Sequence, residues 1–301
     1  MTELNTRGFG WIPDFPDHRD FTEETDGVRG ILAPTGLAAA AGPGRAGRGR
    51  GAKLPASADL REWASAVEDQ GGLGSCTAQA GAGVIEYYER KAFGRHLESS
   101  RLFLYKVTRN LMKVKGDTGA YLRSTMGAMV LFGVPPETFW PYTDAAAGFD
   151  KEPPAFCYSF AQNYKTLLYY RHDPAGAARA AVLERLKTYL AAGHPAMFGF
   201  TVYSSIDQAE ATGRIPYPHG RERIEGGHAV VAMGYDDAMT IRNAAGGEEA
   251  RGAFLIRNSW GKAWGEKGYG WLPYLYVLRG LAEDFWSVLK KEWIDTGEFK
   301  I

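Results

Sequence analysis

From Cys76 to about Phe93 the chain reads as a helix whose first turns are small and apolar on every side (Ala78, Ala80, Gly81, Ala82, Gly83, Val84, Ile85). Such a helix has no polar face to offer water, so it belongs at the centre of a folded body. Gly81 and Gly83 each cost about 1 kcal/mol relative to alanine in a helix interior. Close packing must therefore hold the helix. Ser75 is a good N-cap, which puts Cys76 in the first turn.

At 301 residues the chain can bury a large core and divide into two lobes. Its formal net charge is zero, so no electrostatic argument points to nucleic acid or to a membrane surface. The segment Met1–Gly10 has no apolar signal core, and no apolar run is long enough to span a bilayer. The expected compartment is a reducing cytoplasm, with export that uses no cleavable signal as the alternative. Cys76 and Cys157 are the two cysteines; if Cys76 is a working thiol, no pair remains for a disulfide.

Three regions are expected. Residues 1–32 contain Gly10-Trp-Ile-Pro-Asp-Phe-Pro-Asp-His-Arg-Asp20, where prolines favour an extended path. Residues 33–53, built from Ala, Gly, Pro and Arg, cannot bury enough apolar area to offset their ordering entropy and read as a flexible linker. An Arg/Gly-rich RNA-binding tail is the weaker reading of that tract. Folded sequence resumes at Leu54. It is helical at about Ser99–Lys113 and Leu122–Phe132, while Tyr158–Tyr170, rich in aromatics, reads as strand. A helix capped by Asp173 follows. Further strands are expected at about Ala196–Tyr203, Ala229–Tyr235, Ala253–Asn258, Gly268–Leu272 and Glu283–Leu289, with Gly246-Gly247 in a hairpin loop. A helical half followed by a β half suggests an α+β protein of two lobes with a cleft between them.

Three residues in separate contexts carry the chemistry. Cys76 follows Gln70-Gly-Gly-Leu-Gly-Ser75, His228 opens an apolar strand after Gly226-Gly227, and Asn258 closes another before Ser-Trp260-Gly. A thiol is a nucleophile as its thiolate, and a helix N-terminus with a facing imidazolium lowers its pKa to about 3.5–7.5. A carboxamide can fix the tautomer of the imidazole, and an indole such as Trp260 can keep water from that bond. The side-chain NH₂ of Gln70, with the Cys76 N–H, can form an oxyanion hole. Taken singly, each residue has a bland reading: a buried structural cysteine, a satisfied core histidine, a solvated glutamine.

Together they resemble the papain-like cysteine peptidase family over Leu54 to about Leu289. Leu54-Pro-Ala-Ser-Ala-Asp-Leu-Arg61 is similar to the start of that family's mature domain, and Gly116-Asp-Thr118-Gly119-Ala-Tyr to its substrate-binding loop. The resemblance implies a papain-like two-lobed fold, with a helical lobe at about 70–157 and an antiparallel β-barrel-like lobe at about 158–290 plus 54–69, in a catalytic domain of 54–301. It implies Cys76, His228, Asn258 and Gln70 as catalytic residues. Thr118, Gly119, Ala229 and Trp260 are the implied substrate-binding residues. The implied activity is that of an endopeptidase working through a thioester, on polypeptide substrates, with no cofactor and no metal. An amidase, isopeptidase or transglutaminase-like acyl transferase is the rival activity, and a non-catalytic binding module on the same fold is a second rival. Three departures stand out: Leu73 replaces a usual disulfide cysteine, Thr77 a usual aromatic, and Thr118 the first of two paired glycines.

The block at residues 10–20 resembles the short N-terminal region of bacterial, xylellain-like members. Residues 9–21 are accordingly expected to dock in extended form on the catalytic domain, either as a restraint lying over the cleft or merely packed on the surface.

Overall fold

The computed structural model of the chain describes residues 7–37, 54–165, 168–296 and 298. In chain order its first elements are α1 (Asp26–Leu32), β1 (Ser57–Asp59), α2 (Cys76–Phe93), α3 (Arg101–Met112), α4 (Leu122–Leu131) and α5 (Ala155–Ala161). There follow β2 (Leu168–Arg171), α6 (Arg179–Ala191), β3 (Ala196–Tyr203), β4 (Ile224–Ile241), β5 (Ala250–Arg257), β6 (Tyr269–Pro273), α7 (Tyr274–Leu278), β7 (Ala282–Leu289) and α8 (Lys291–Ile294).

Every residue of α2 from Cys76 to Tyr88 is buried. The glycines do what the all-round apolar pattern demands. A Cβ added at Gly81 would stand 3.1 Å from both Leu104 Cδ2 of α3 and Met129 Sδ of α4. Ser75 does not cap the helix with its side chain; its hydroxyl shares a hydrogen bond with Tyr142 Oη at 2.7 Å. The N–H groups of Ala78 and Gln79 donate to the Ser75 carbonyl at 2.9 and 3.1 Å.

The strands form one antiparallel sheet in the order β2-β7-β3-β4-β5-β6, with β1 paired to β4. In β4, His228 lies opposite Phe200 of β3, and Val231 opposite Arg257 of β5. Asn258, the residue after β5, is thereby delivered to His228. The α2 helix packs on β4, so the nucleophile's helix and the histidine's strand are in direct contact.

Below that contact a polar chain ties the lobes together. The buried Arg257 guanidinium donates to Ser65 Oγ at 3.1 Å, and Ser65 Oγ donates to Glu86 Oε2 of α2 at 2.5 Å. Burial pushes the Glu86 carboxyl up, while the Arg257 charge and the Ser65 bond pull it down.

Three further expectations fail. The stretch expected as strand over Tyr158–Tyr170 is mostly helix α5 and a 3-10 turn at Gln162–Tyr164, with strand only from Leu168. Pro153-Pro154 starts that helix, and Phe160 stacks on Phe156 at 5.5 Å and meets Phe139 of an earlier turn edge-on at 4.7 Å between ring centroids. Asp173 caps no helix, because α6 begins at Arg179. Its carboxylate accepts instead from the N–H groups of Asp284 (2.8 Å) and Phe285 (3.0 Å). The expected linker begins too early: residues 33–35 form a 3-10 turn, with Thr35 and Leu37 buried. Residues 38–53 lie outside the described residues.

Gly83 tests the tie between lobes. A Cβ there would stand 2.6 Å from the Arg257 guanidinium, so Gly83→Val should force that charge from Ser65. We expect a loss of about 3–5 kcal/mol, the cost of breaking a buried charged pairing, read as a lower urea midpoint.

Candidate active site

Cys76 stands in the first turn of α2 with no exposed surface. Its Sγ accepts a hydrogen bond from the Ala229 N–H at 3.4 Å, which places the sulfur one residue along β4 from His228. The His228 Nε2 shares a 2.7 Å hydrogen bond with Asn258 Oδ1. Since an amide oxygen only accepts, Nε2 carries the proton and Nδ1 is left as the basic nitrogen. Trp260 stacks on the imidazole at 4.5 Å between centroids, and Phe200 meets it edge-on at 5.8 Å. Gln70 is fully buried; its Oε1 accepts from Ser259 Oγ at 2.5 Å, so the side-chain NH₂ points the other way. Cys76, His228, Asn258 and Gln70 therefore converge from α2, β4, the end of β5 and the loop before α2.

The N-terminal segment covers them. Gln70 Nε2 donates to the Gly8 carbonyl at 2.9 Å and to Leu73 O at 2.7 Å. The Ala120 N–H donates to the Gly10 carbonyl at 2.7 Å, Trp11 N–H to Gly227 O at 2.9 Å, and Ile12 N–H to Ala120 O at 3.1 Å. Gly10 has to be glycine here: an added Cβ would lie 1.8 Å from the Gly74 carbonyl oxygen. Phe9 packs on His228 and Trp260, and Arg7 lies over the Trp260 ring at 4.7 Å while pairing with Glu210. On the opposite side Trp11 enters a pocket and donates from Nε1 to Asp284 Oδ2 at 3.1 Å.

Beyond the cleft the segment is anchored by charge. Arg123 pairs with Asp14 and with Asp20 (2.7 Å), Arg185 with Glu23 (2.7 Å). Val28, Leu32 and Leu37 bury its helical end.

Burial decides the electrostatics of this closed form. It pushes the Cys76 thiol up to about 11 against the pull of nearby backbone N–H groups. It pushes His228 down to about 4, the Asn258 bond opposing and the Arg7 charge assisting. The closed pair is a neutral thiol beside a neutral imidazole. The lowered thiol pKa expected from the helix N-terminus is absent here, because covering both groups removes the water that would stabilise their charges.

The expected substrate-side residues are distributed unevenly. Ala229 meets the sulfur and Trp260 the imidazole, as above. Gly119, at φ +72°, lies against the segment: an added Cβ would come within 2.4 Å of Gly10 O. Thr118 turns its hydroxyl onto the Gly119 carbonyl at 3.1 Å. The backbone partners are instead Ala120 and Gly227, and the pocket floor is Asp284. Sequence reasoning reached only the region near Asp284, as a candidate side-chain pocket, and missed Ala120 and Gly227, because backbone N–H and C=O groups carry no residue-type signal. Among the described residues, Glu86, His96 and Glu98 bring three potential ligand atoms within 4.8 Å. Both Glu86 oxygens, however, already accept from Ser65 Oγ and the Ser99 N–H.

Residues 54–275 match the family described as Papain family cysteine protease. An uncharacterised peptidase C1-like protein of Acanthamoeba polyphaga mimivirus is 32% identical over 298 residues, spanning 95% of this chain and 88% of its own. Mouse cathepsin K is 28% identical over 234 residues, 73% of this chain and 60% of its own length. Among solved structures, xylellain, a cysteine protease from Xylella fastidiosa, superposes with a TM-score of 0.73 at 35% identity, covering 96% of this chain and 98% of that one. The fold and the site thus define a papain-like α+β protein. The chain belongs to the papain family of cysteine proteases. No helix among the described residues is long and apolar enough to cross a membrane.

The closed-form acidities predict the chemistry of the intact chain. Because the thiol stays protonated below about pH 11, Cys76 should resist iodoacetamide at pH 7 and react only as the pH approaches that value. Peptide mass mapping after timed exposure reads this directly, and rapid modification of Cys76 at pH 7 would contradict it.

Proposed function

We propose that this protease hydrolyses peptide bonds through Cys76 and His228, and that residues 7–12 hold it closed until they are displaced. The carrying observation is the neighbourhood of the three residues, with His228 Nε2 committed to Asn258, Nδ1 unpartnered, and the sulfur at the adjacent residue's N–H. His228 Nδ1 takes the thiol proton, and the sulfur adds to the substrate carbonyl carbon. Gln70 Nε2 and the Cys76 N–H receive the developing oxyanion, in the manner in which Gln70 now receives Gly8 O. The proton on Nδ1 passes to the leaving nitrogen as the C–N bond breaks, leaving a thioester. Water, deprotonated by the same nitrogen, releases the acid and restores the thiol.

This reading also explains why the segment can occupy the cleft without being cut. The leaving amine must collect its proton from His228, so a substrate's leaving portion lies on the side of His228 and Trp260. Its acyl portion lies toward Ala120 and the Trp11 pocket, and a substrate chain runs from that pocket toward Trp260. Residues 7–11 run the opposite way, from Trp260 toward the pocket. With that polarity the nitrogen of the bond whose carbonyl meets Gln70, that of Phe9, lies toward the pocket and away from the side on which a leaving amine would collect its proton.

Three variants test the proposal. Cys76→Ala should abolish peptide hydrolysis while leaving the thermal unfolding curve intact. Gln70→Ala should slow turnover of the opened enzyme by about 10²–10³-fold, the usual cost of one oxyanion donor. Gly10→Val forces a side chain into the Gly74 backbone and should lift the segment at a cost of about 1–3 kcal/mol. That shift corresponds to a roughly 5- to 150-fold rise in the rate with a fluorogenic peptide. An unchanged rate in Gly10→Val would remove the inhibitory role of the segment.

A further inference from the structure

The two proposed oxyanion donors, Gln70 Nε2 and the Cys76 N–H, stand at the ends of the loop Gly71-Gly-Leu-Gly-Ser75. Glycines 71, 72 and 74 leave that backbone many conformations, so the loop does not by itself set how its ends are spaced. Asp117 holds its middle, accepting from the Gly74 N–H at 3.0 Å. One side chain joins the ends. Tyr142 Oη donates to the Gln70 carbonyl at 2.9 Å and shares a 2.7 Å hydrogen bond with Ser75 Oγ. A carbonyl only accepts, so the single phenol proton goes to Gln70 and Ser75 donates to Tyr142. The Leu73 N–H, which also donates to that carbonyl, is more distant at 3.4 Å. Burial pushes the phenol up to about 12, against the Ser75 bond and the Arg101 charge, so the donor is present throughout the neutral range.

Tyr142 is itself fixed. Its N–H donates to Glu137 Oε1 at 2.6 Å, and the Arg101 guanidinium lies 4.8 Å from its ring centroid. Arg101, at the start of α3, pairs with Glu137 and with Glu68, each at 2.9 Å. Glu68 stands just before Gln70 in the chain, so one cation anchors both the phenol and the approach to the loop.

We propose that Tyr142 is a positioning residue for peptide hydrolysis, its hydroxyl setting the spacing of the two oxyanion donors through Gln70 and Ser75. The proposal rests on the reading of Cys76 as nucleophile. Donors stabilise an oxyanion when they lie about 2.7–3.1 Å from it, so both must reach the same oxygen at once, and a misplacement of about 1 Å can cost about 10²-fold in rate. Without the hydroxyl, Ser75 Oγ loses its acceptor and the Gln70 carbonyl its nearer donor, and the glycine loop relaxes. The sulfur, held at the Ala229 N–H of β4, stays in place.

The test uses the full chain carrying Gly10→Val, with and without Tyr142→Phe. Two rates are compared: hydrolysis of a fluorogenic peptide, and alkylation of Cys76 by iodoacetamide at neutral pH, read by peptide mass mapping. Displacement of iodide by the sulfur builds no oxyanion on a carbonyl, so alkylation reports the thiol and imidazole alone. We expect kcat to fall about 10- to 100-fold, with KM and the alkylation rate within about twofold of the parent. Added to Gln70→Ala, which leaves a single donor, Tyr142→Phe should cost no more than about a further twofold. Should Tyr142→Phe fail to fold, Ser75→Ala frees the other end of the bridge and decides by the same two rates. An unchanged kcat, a parallel fall in alkylation, or the full loss repeated in the Gln70→Ala background overturns the inference and leaves Cys76 as nucleophile. If the Gly10→Val chain neither hydrolyses the peptide nor is alkylated at Cys76, the nucleophile reading falls and this inference with it.

Discussion

The contact between the first turn of α2 and the backbone of β4 governs the site. It brings a sulfur from a helix N-terminus to the amide of Ala229, beside an imidazole whose other nitrogen is already bound to Asn258. Neither element can shift alone. The helix is packed through Gly81 against α3 and α4, and it is joined to β5 through Glu86, Ser65 and Arg257. Because Asn258 directly follows Arg257 at the end of β5, one buried polar chain fixes the helix, the strand and the carboxamide together.

The same burial that makes this geometry rigid keeps the thiol and the imidazole neutral. A thiolate and an imidazolium stabilise each other only where their combined cost of leaving water is small enough. With Phe9 on the imidazole and Gly10 beside the sulfur, both groups revert to their neutral forms. The segment thus covers both groups and excludes the water that would stabilise their charges.

The central helix was legible in the sequence because a run of small apolar residues has only one comfortable location. The strands carrying His228 and Asn258 were legible from their β-branched and apolar runs. What failed failed for local reasons. Aromatic residues at 156–164 favour strands in general, yet here a Pro-Pro pair starts a helix and ring-on-ring packing sustains it. Asp173 before Pro174 has the pattern of a helix start, but its carboxylate is claimed by the backbone of Asp284 and Phe285 across the fold. That claim comes from residues more than a hundred positions away, and no local window contains it. The backbone partners at Ala120 and Gly227 were invisible for a different reason, since any residue can supply an N–H or a C=O. Ser75 shows the reverse case: the right residue type for a cap, drawn off by Tyr142.

Arg171 links the two halves of this arrangement. Its buried guanidinium pairs with Asp284 at the pocket floor and with Asp173 behind it. It also reaches Asp20 of the segment at 3.7 Å and donates to the Asp14 carbonyl at 3.1 Å. One cation therefore neutralises the floor that receives Trp11 and holds the chain that delivers Trp11. Departure of the segment removes Asp20 and the Asp14 carbonyl from Arg171 but leaves Asp173 and Asp284, so the guanidinium keeps two carboxylate partners. The pocket can then stay formed without its original occupant, because the groups that shape its floor all belong to residues 171–286 of the folded domain.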